Sequence, residues 1–251
     1  MGKNFRRKRL QGQTCAYCGA PAETSDHVLA RSFFPKSQWA GLPEVSACKA
    51  CNNDKSRLEG YLATVLLFGG RHADAQPNLL DMGERRLAGN LALHRVFQKG
   101  HGRAWAKADS GVVVPSMTVP IDAEQFTDYF KLVAQGLIRF EFGDTFAESD
   151  HIEVITATEI AGAPLFRNLL SLNAAKRVQR NIGNGAVVYE GAQGTDSRIT
   201  VWLITAFGGL VFQEKDGRSY ETQIGALTGP GHIAKRVERR QKWIEGRGNF
   251  V

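Results

Sequence analysis

Four cysteines, arranged as two Cys-x2-Cys pairs near the start of the chain, limit what this sequence can fold into. Cys15 and Cys18 form the first pair, Cys48 and Cys51 form the second, and 29 residues separate the two pairs. The chain has no other cysteine. Two such pairs can close a tetrahedral zinc site. Zinc binding contributes roughly 10–16 kcal/mol in small zinc peptides, which exceeds what so short a segment gains from a hydrophobic core. We therefore predict a module that zinc stabilises.

Polar residues with catalytic chemistry lie beside both cysteine pairs. Asp26 and His27 follow the first pair after seven residues, and Asn52 directly follows the second. A hairpin between the pairs and a helix after Cys51 would bring these three side chains to one face. Carboxylate and amide oxygens are ligands for a hard cation such as Mg²⁺. A histidine beside that cation can accept a proton from water, and a positioned general base contributes roughly 10²–10⁴-fold to a rate.

This arrangement resembles the HNH endonuclease family in its zinc-stapled form, whose ββα-metal fold cuts DNA. The matching residues are Cys15-x2-Cys18, Asp26-His27-Val28, Cys48-x2-Cys51-Asn52 and Lys55-Ser56. The resemblance implies that Asp26 and Asn52 hold a catalytic Mg²⁺ or Mn²⁺ and that His27 is the general base. It implies that the four cysteines hold a structural Zn²⁺. It covers about residues 13–58, and Asn53 is an alternative to Asn52, which we favour for its spacing to Lys55.

One position departs from the family pattern. The family usually places a middle asparagine about nine residues before the last metal ligand, where it braces the loop that holds the histidine. This sequence has Pro43 there. A proline side chain makes no hydrogen bonds, so the expected brace has to come from elsewhere in the chain.

The sequence predicts an α+β fold in three parts. Residues 1–12 form a basic flexible arm, residues 13–58 form the treble-clef-like ββα-metal module, and residues 59–251 form a larger mixed α+β domain that contains a C-terminal β-meander. Hydrophobic periodicity and capping residues predict helices over 56–68, 84–98, 122–140, 164–181 and 232–245. Short apolar runs between turn residues predict strands over 112–114, 117–119, 152–158, 186–189, 200–206 and 210–213. Pro115 is expected to separate the first two of these strands.

Basic residues are concentrated towards both ends of a chain whose net charge is +7. Residues 1–10 contain five basic and no acidic side chains, and residues 232–251 contain six basic and two acidic ones. This distribution favours a polyanionic partner, although solvated tails explain it equally well. For a DNA partner, the predicted contact residues are Arg6, Arg7, Arg9, Lys55, Arg71, Arg239 and Arg240.

The composition excludes several other classes of protein. No apolar run approaches 18 residues, so we expect no membrane-spanning helix. The basic residues 1–9 precede no apolar segment of the kind found in a secretory signal. Paired cysteines of the metal-binding type indicate a reducing compartment, and we expect a cytoplasmic protein.

Three functional hypotheses follow from these features. The first is a metal-dependent DNA endonuclease whose residues 59–251 select the target, sense an effector, form a homodimer or bind a protein partner. The second is a zinc-stabilised nucleic-acid-binding protein that does not cleave. The third is a protein-interaction adaptor built on a zinc knuckle, which would lack the steep salt dependence of nucleic-acid binding.

Overall fold

The computed structural model describes residues 10, 12–69, 102–107, 112–119, 121–146, 150–159, 162–172, 176–213 and 219–231. The predicted helices over 84–98 and 232–245 and most of the predicted basic arm lie outside these residues.

A short two-stranded sheet and a long helix follow the first cysteine pair. Strand β1 (Thr24–His27) pairs antiparallel with β2 (Glu44–Ala47), so that Asp26 lies opposite Val45. Two short 3-10 turns occupy part of the connection between these strands. Helix α1 (Lys49–Gly69) then begins directly after Cys48. The second cysteine pair therefore lies at the junction between β2 and α1.

Helix α1 begins earlier than the predicted helix over residues 56–68. The Cys51 N–H donates to Cys48 Sγ at 3.4 Å, and the Asn52 N–H donates to the Cys48 carbonyl oxygen at 3.1 Å. The Cys48 sulfur thus satisfies an N–H group that a helix leaves open in its first turn, and the Cys48 carbonyl accepts the first regular helix hydrogen bond. The motif had predicted a helix after Cys51, but the residues before 56 are too polar to show helical periodicity, so the periodic pattern alone gave the later start. The predicted apolar face is confirmed, because Leu62 and Leu66 are buried.

Most of the remaining strands form one open antiparallel sheet. Its strand order is β5-β10-β8-β7-β6, and β9 pairs with the first residues of β10. The strands are β5 (Asp150–Thr158), β6 (Arg177–Ile182), β7 (Val187–Gln193), β8 (Thr200–Ala206), β9 (Leu210–Gln213) and β10 (Ser219–Pro230). The described chain is thus mixed α+β, as predicted, with antiparallel sheets. The predicted C-terminal β-meander is wrong, because β10 and not β9 lies beside β8. The prediction contained neither β6 nor β10.

Two predicted elements are wrong. The helix expected over 164–181 ends much sooner, since α3 spans Ala163–Leu172 and β6 follows. Strand β6 takes its backbone hydrogen bonds from β7, which local propensity does not reveal. The strand expected to break at Pro115 is continuous as β4 (Val113–Thr118) and pairs with β3 (Gly102–Lys107). A two-stranded sheet tolerates the proline because its missing N–H can face the open edge.

Helix α2 (Ala123–Leu137) connects the N-terminal region with the large sheet. Its predicted N-cap is confirmed, since Asp122 Oδ1 accepts hydrogen bonds from two first-turn N–H groups at 3.0 Å. A π-helical turn (Ile138–Phe142) follows it, and Gly143 ends that turn at φ 75°. Within the described residues, every helix is too short or too polar to cross a membrane.

A single apolar core joins the cysteine region to the sheet. The ring of Phe33, which follows β1, packs edge-on against Tyr129 of α2 and against Phe207 after β8, with centroid distances of 5.9 and 5.5 Å. The Ala30 N–H also donates to the Tyr129 hydroxyl at 3.2 Å. The predicted domain boundary between residues 58 and 59 falls inside α1. Both sides of that boundary contribute to this core, so the second part of the chain supports the first.

Candidate functional site

The four cysteine sulfurs form a compact cluster. All four Sγ atoms lie within 4.8 Å of one another, and Cys18 Sγ is 3.7 Å from Cys48 Sγ. Two sulfurs bound to one tetrahedral Zn²⁺ at 2.3 Å would lie about 3.8 Å apart. Four thiolates in this arrangement are a ligand set that zinc prefers. The chain can therefore hold a zinc ion here.

Backbone N–H groups in both pairs point at the sulfurs. The Tyr17 N–H donates to Cys15 Sγ, and the Cys51 N–H donates to Cys48 Sγ, both at 3.4 Å. The Cys51 N–H at the start of α1 lowers the pKa of the Cys48 thiol, because it stabilises the thiolate. Burial raises the pKa of the Cys51 thiol. In the metal-free protein the Cys48 and Cys51 thiols thus differ in how readily they lose the proton that zinc must displace.

A cleft of ≈ 740 Å³ lies beside this cluster, and the predicted catalytic residues line it. Asp26 and His27 enter it from β1, and Asn52 enters it from the first turn of α1. The antiparallel β1–β2 pair and the start of α1 right after Cys48 create this proximity. The structure thus brings Asn52 into the same cleft as the adjacent pair Asp26 and His27, which precede it by about half the length of the N-terminal module.

His27 is half-buried at the edge of the cleft. Burial lowers the pKa of its imidazole, which favours the neutral ring that a general base requires. Its Nδ1 atom is buried and makes no hydrogen bond to any residue that the structure describes. The Val28 N–H donates to the Pro43 carbonyl oxygen at 2.9 Å. The main chain of Pro43 therefore braces the segment next to His27 through a bond that needs no side-chain amide.

The carboxylate of Asp26 is buried, and its two polar contacts are both made by the same oxygen atom. Asp26 Oδ2 accepts a hydrogen bond from the Tyr17 hydroxyl at 2.5 Å and lies 3.0 Å from Lys55 Nζ. Both contacts use Oδ2, so neither occupies Oδ1. Tyr17 was not predicted as a site residue, and its position between the two cysteines of the first pair was the only signal for it.

Lys55 lies in the interior, which corrects its predicted role in nucleic-acid binding. Its side chain is 1% exposed, and Nζ lies 2.6 Å from the His27 carbonyl oxygen and 2.5 Å from Glu59 Oε1. The ammonium also sits 5.8 Å from the centre of the Tyr129 ring. A lysine surrounded in this way is not available to a backbone phosphate. Its charge instead compensates the carboxylates of Asp26 and Glu59.

Asn52 and Glu59 occupy the same face of α1, seven residues apart, and both line the cleft. Asn52 Nδ2 donates to Thr24 Oγ1 at 3.4 Å, and this bond leaves the amide oxygen Oδ1 unused. Asn53 is exposed, so the geometry favours Asn52 as the residue beside Asp26. Burial raises the pKa of the Glu59 carboxyl, an effect that the Lys55 ammonium opposes.

The cleft is also lined by basic and aromatic side chains. Arg31, Lys36 and Trp39 are among its lining residues, and the Arg31 guanidinium lies over the Trp39 ring, 5.0 Å from its centre. Trp39 Nε1 donates to the carbonyl oxygens of Arg31 and Phe34 at 3.0 and 3.1 Å. Arg31 lies four residues after His27, a spacing that the sequence reasoning did not use. The cleft therefore combines positive charge with acidic and amide side chains.

The remaining residues predicted to contact DNA lie outside the described part of the chain. They are Arg6, Arg7, Arg9, Arg71, Arg239 and Arg240.

Comparison with models of known protein families, with curated proteins and with solved structures finds no match for this chain.

Proposed function

We propose that this chain is a metal-dependent endonuclease of the HNH type that hydrolyses DNA phosphodiester bonds. One observation carries the proposal: Asp26, His27 and Asn52 line one cleft beside a tetracysteine cluster. The antiparallel β1–β2 pair followed by α1 has the order of elements that a ββα-metal module requires. Simple binding to nucleic acid needs none of these three side chains.

Each of the three residues has a distinct role in the proposed reaction. Asp26 and Asn52 contribute carboxylate and amide oxygens to one Mg²⁺ or Mn²⁺ ion. Such an ion, when bound, polarises the phosphate and stabilises the leaving oxygen. His27 takes a proton from the attacking water. We assign this role to Nε2, because Nδ1 is buried.

The charge distribution of the cleft supports a phosphodiester substrate. A phosphate bound in the cleft would have Arg31 and Lys36 among the side chains that line it, together with Asp26 and Asn52. Arginine binds phosphate through paired N–H donors. Lys36 adds a second positive charge to the same cleft. These contacts position a backbone and read no bases, so they favour nucleic acid without fixing a sequence.

The second candidate is a zinc-stabilised nucleic-acid-binding protein without cleavage activity. Two observations favour it. Pro43 replaces the usual amide, and Nδ1 of His27 has no hydrogen-bond partner in the described structure, so the imidazole lacks a group that fixes its tautomer. A histidine held this loosely would still permit binding.

Plasmid cleavage separates the two candidates. Supercoiled plasmid is incubated with the purified protein in Mg²⁺, in Mn²⁺ and in EDTA, and the His27→Ala variant is compared with wild type. His151→Ala is the matched control, because His151 is exposed and pairs with Glu153 on β5. We expect metal-dependent nicking or linearisation by wild type and by His151→Ala, and no cleavage by His27→Ala.

The outcomes distinguish the candidates when binding is measured on the same samples. DNA binding that His27→Ala retains while cleavage is lost supports the nuclease. DNA binding by a folded, zinc-loaded wild type that cuts in neither metal supports the non-cleaving binder. Linear product formed without a nicked intermediate would indicate a homodimer, since one such site cuts one strand.

A further inference from the structure

One carboxylate oxygen of Asp26, Oδ2, makes polar contacts with two different side chains. The Tyr17 hydroxyl donates to Oδ2 at 2.5 Å, and Lys55 Nζ lies 3.0 Å from that atom. All three side chains are buried, with Asp26 7% exposed and Tyr17 6% exposed. The rotation of this carboxyl group is therefore restricted by direct contacts.

Tyr17 is itself held by the cysteine region. It lies between Cys15 and Cys18, and its N–H donates to Cys15 Sγ at 3.4 Å. The preceding residue is tied to β2, since the Ala16 N–H donates to the Ser46 carbonyl oxygen at 2.9 Å. The position of the phenol thus depends on the first cysteine pair and on β2, and Asp26 meets it from β1.

We propose that Tyr17 is a positioning residue that links the tetracysteine cluster to the divalent-cation site, holding Asp26 Oδ2 so that Oδ1 faces the cation. The inference rests on the proposed function, because it concerns the same carboxylate. It assigns a second role to the first cysteine pair, which orients a metal ligand of the neighbouring site as well as stabilising the fold.

The size of the effect follows from the behaviour of groups that orient metal ligands. Removing a hydrogen-bond partner of a ligating carboxylate or histidine costs about 10- to 100-fold in metal affinity or activity. Without the phenol, Asp26 keeps its contact with Lys55 but can rotate more freely. The loss is therefore expected in the affinity for the catalytic cation, with the zinc content unchanged.

The test compares Tyr17→Phe with a closely matched control, Tyr189→Phe. Tyr189 is fully buried, and its hydroxyl donates to Glu141 Oε1 at 2.5 Å, a carboxylate that also pairs with Arg180 at 2.9 Å. Each variant removes the phenol hydroxyl that donates to a buried carboxylate. In both cases the carboxylate keeps its basic partner, Lys55 for Asp26 and Arg180 for Glu141. Mn²⁺ binding to the zinc-loaded proteins is measured by calorimetry, and plasmid cleavage is measured against Mg²⁺ concentration.

We expect Tyr17→Phe to weaken Mn²⁺ binding and to raise the Mg²⁺ concentration for half-maximal cleavage by about tenfold or more. Tyr189→Phe should leave both unchanged, although both variants lose some thermal stability. Unchanged Mn²⁺ and Mg²⁺ dependence in a folded, zinc-loaded Tyr17→Phe overturns the inference. So does an equal loss in both variants, because it would reflect stability alone.

Two further measurements keep the inference testable. Tyr17→Met removes the same hydroxyl with a flexible side chain that can repack, and it should also weaken Mn²⁺ binding, which decides the matter if Tyr17→Phe does not fold. In an Asp26→Asn background, Tyr17→Phe should have no further effect on Mn²⁺ binding, because Tyr17 acts only through Asp26. A wild type that binds Mn²⁺ but never cuts DNA refutes the nuclease and leaves the role of Tyr17 intact.

Discussion

The ammonium of Lys55 lies 2.6 Å from the main-chain carbonyl oxygen of His27, and so ties α1 to the last residue of β1. The same ammonium contacts Asp26 and Glu59. One buried positive charge thus connects the segment that carries the proposed general base with two carboxylates of the cleft. Its removal would leave both carboxylates without their compensating charge.

Replacing Lys55 with methionine should therefore be strongly destabilising. Breaking a buried ion pair by removing one partner costs about 3–5 kcal/mol, because the other partner stays buried without compensation. We expect Lys55→Met to lower the free energy of unfolding by about 3 kcal/mol or more, measured by denaturant titration. Lys131→Met is the control, since Lys131 pairs with Asp128 on the exposed face of α2. A similar small loss in both variants would contradict the assigned role.

Loss of a cysteine should release the bound metal and unfold the surrounding segment. Cys48→Ser removes a sulfur that also accepts a hydrogen bond from the Cys51 N–H. We expect the zinc content of this variant to fall below one ion per chain, as measured by elemental analysis. Ser46→Ala removes a neighbouring hydroxyl that donates to the Thr14 carbonyl oxygen and should keep the zinc. Zinc retained by Cys48→Ser at full stoichiometry would refute the four-sulfur site.

Acid should also remove the zinc. The sulfurs bind as thiolates, so protons compete with the metal, and burial raises the pKa of the Cys51 thiol in the metal-free protein. Zinc affinity is therefore expected to fall steadily as the pH is lowered, which competition with a chromophoric chelator measures. An affinity independent of pH would mean that the sulfurs are not the ligands.

The N-cap of α2 should contribute stability that depends on pH. The N–H groups of Gln125 and Glu124 lower the pKa of the Asp122 carboxyl. A lowered folded-state pKa stabilises the protein above the ordinary pKa of the group, and this stabilisation is lost as the pH falls through the lowered value. We expect Asp122→Ala to lower the free energy of unfolding by about 1 kcal/mol at neutral pH, and by progressively less in acid.

The control for this cap is Asp128→Ala in the same helix. Asp128 is exposed and pairs with the exposed Lys131 of the same helix, so its removal should change stability little at any pH. Equal effects of the two substitutions across the pH range would show that Asp122 does not act as a cap.

A glycine in β10 should not tolerate a methyl group. A Cβ at Gly225 would overlap the ring of Phe166, which α3 packs against the sheet, whereas a Cβ at Gly229 in the same strand meets nothing within 4 Å. Overpacking a core costs about 1–3 kcal/mol. We expect Gly225→Ala to lower the melting temperature and Gly229→Ala to leave it unchanged or slightly raised. Equal melting temperatures would mean that the Phe166 ring moves aside freely.

Local chemistry explains which elements were predictable. The Asp122 cap depends on atoms two and three residues away, and β8 is a continuous apolar run between turn residues. Strand β10 was missed because its threonines and glycines form a weak pattern. It exists because β5 and β8 flank it and satisfy its backbone on both sides. Pairing with strands distant in the chain cannot be read from a window of sequence.

The candidate site likewise contains residues that the sequence predicted and residues that it did not. Spacing alone predicted the tetracysteine cluster, because two residues between cysteines suffice to aim both sulfurs at one metal. The same motif predicted the position of His27, Asp26 and Asn52 in one cleft, once a hairpin and a helix were assumed. Tyr17 and Glu59 were missed, since neither is distinguishable in the sequence from an ordinary tyrosine or a solvated helix glutamate.

The sequence by itself determined which four cysteines could hold a zinc ion and which polar residues surround them, because both depend on short stretches of chain. The tertiary structure decided what Lys55 does. A lysine in the first turns of a helix is normally solvated, but here Tyr129 of α2 covers it. Burial then forces the ammonium to take its partners from β1 and α1, since an uncompensated charge is too costly in the interior. That packing depends on residues far along the chain.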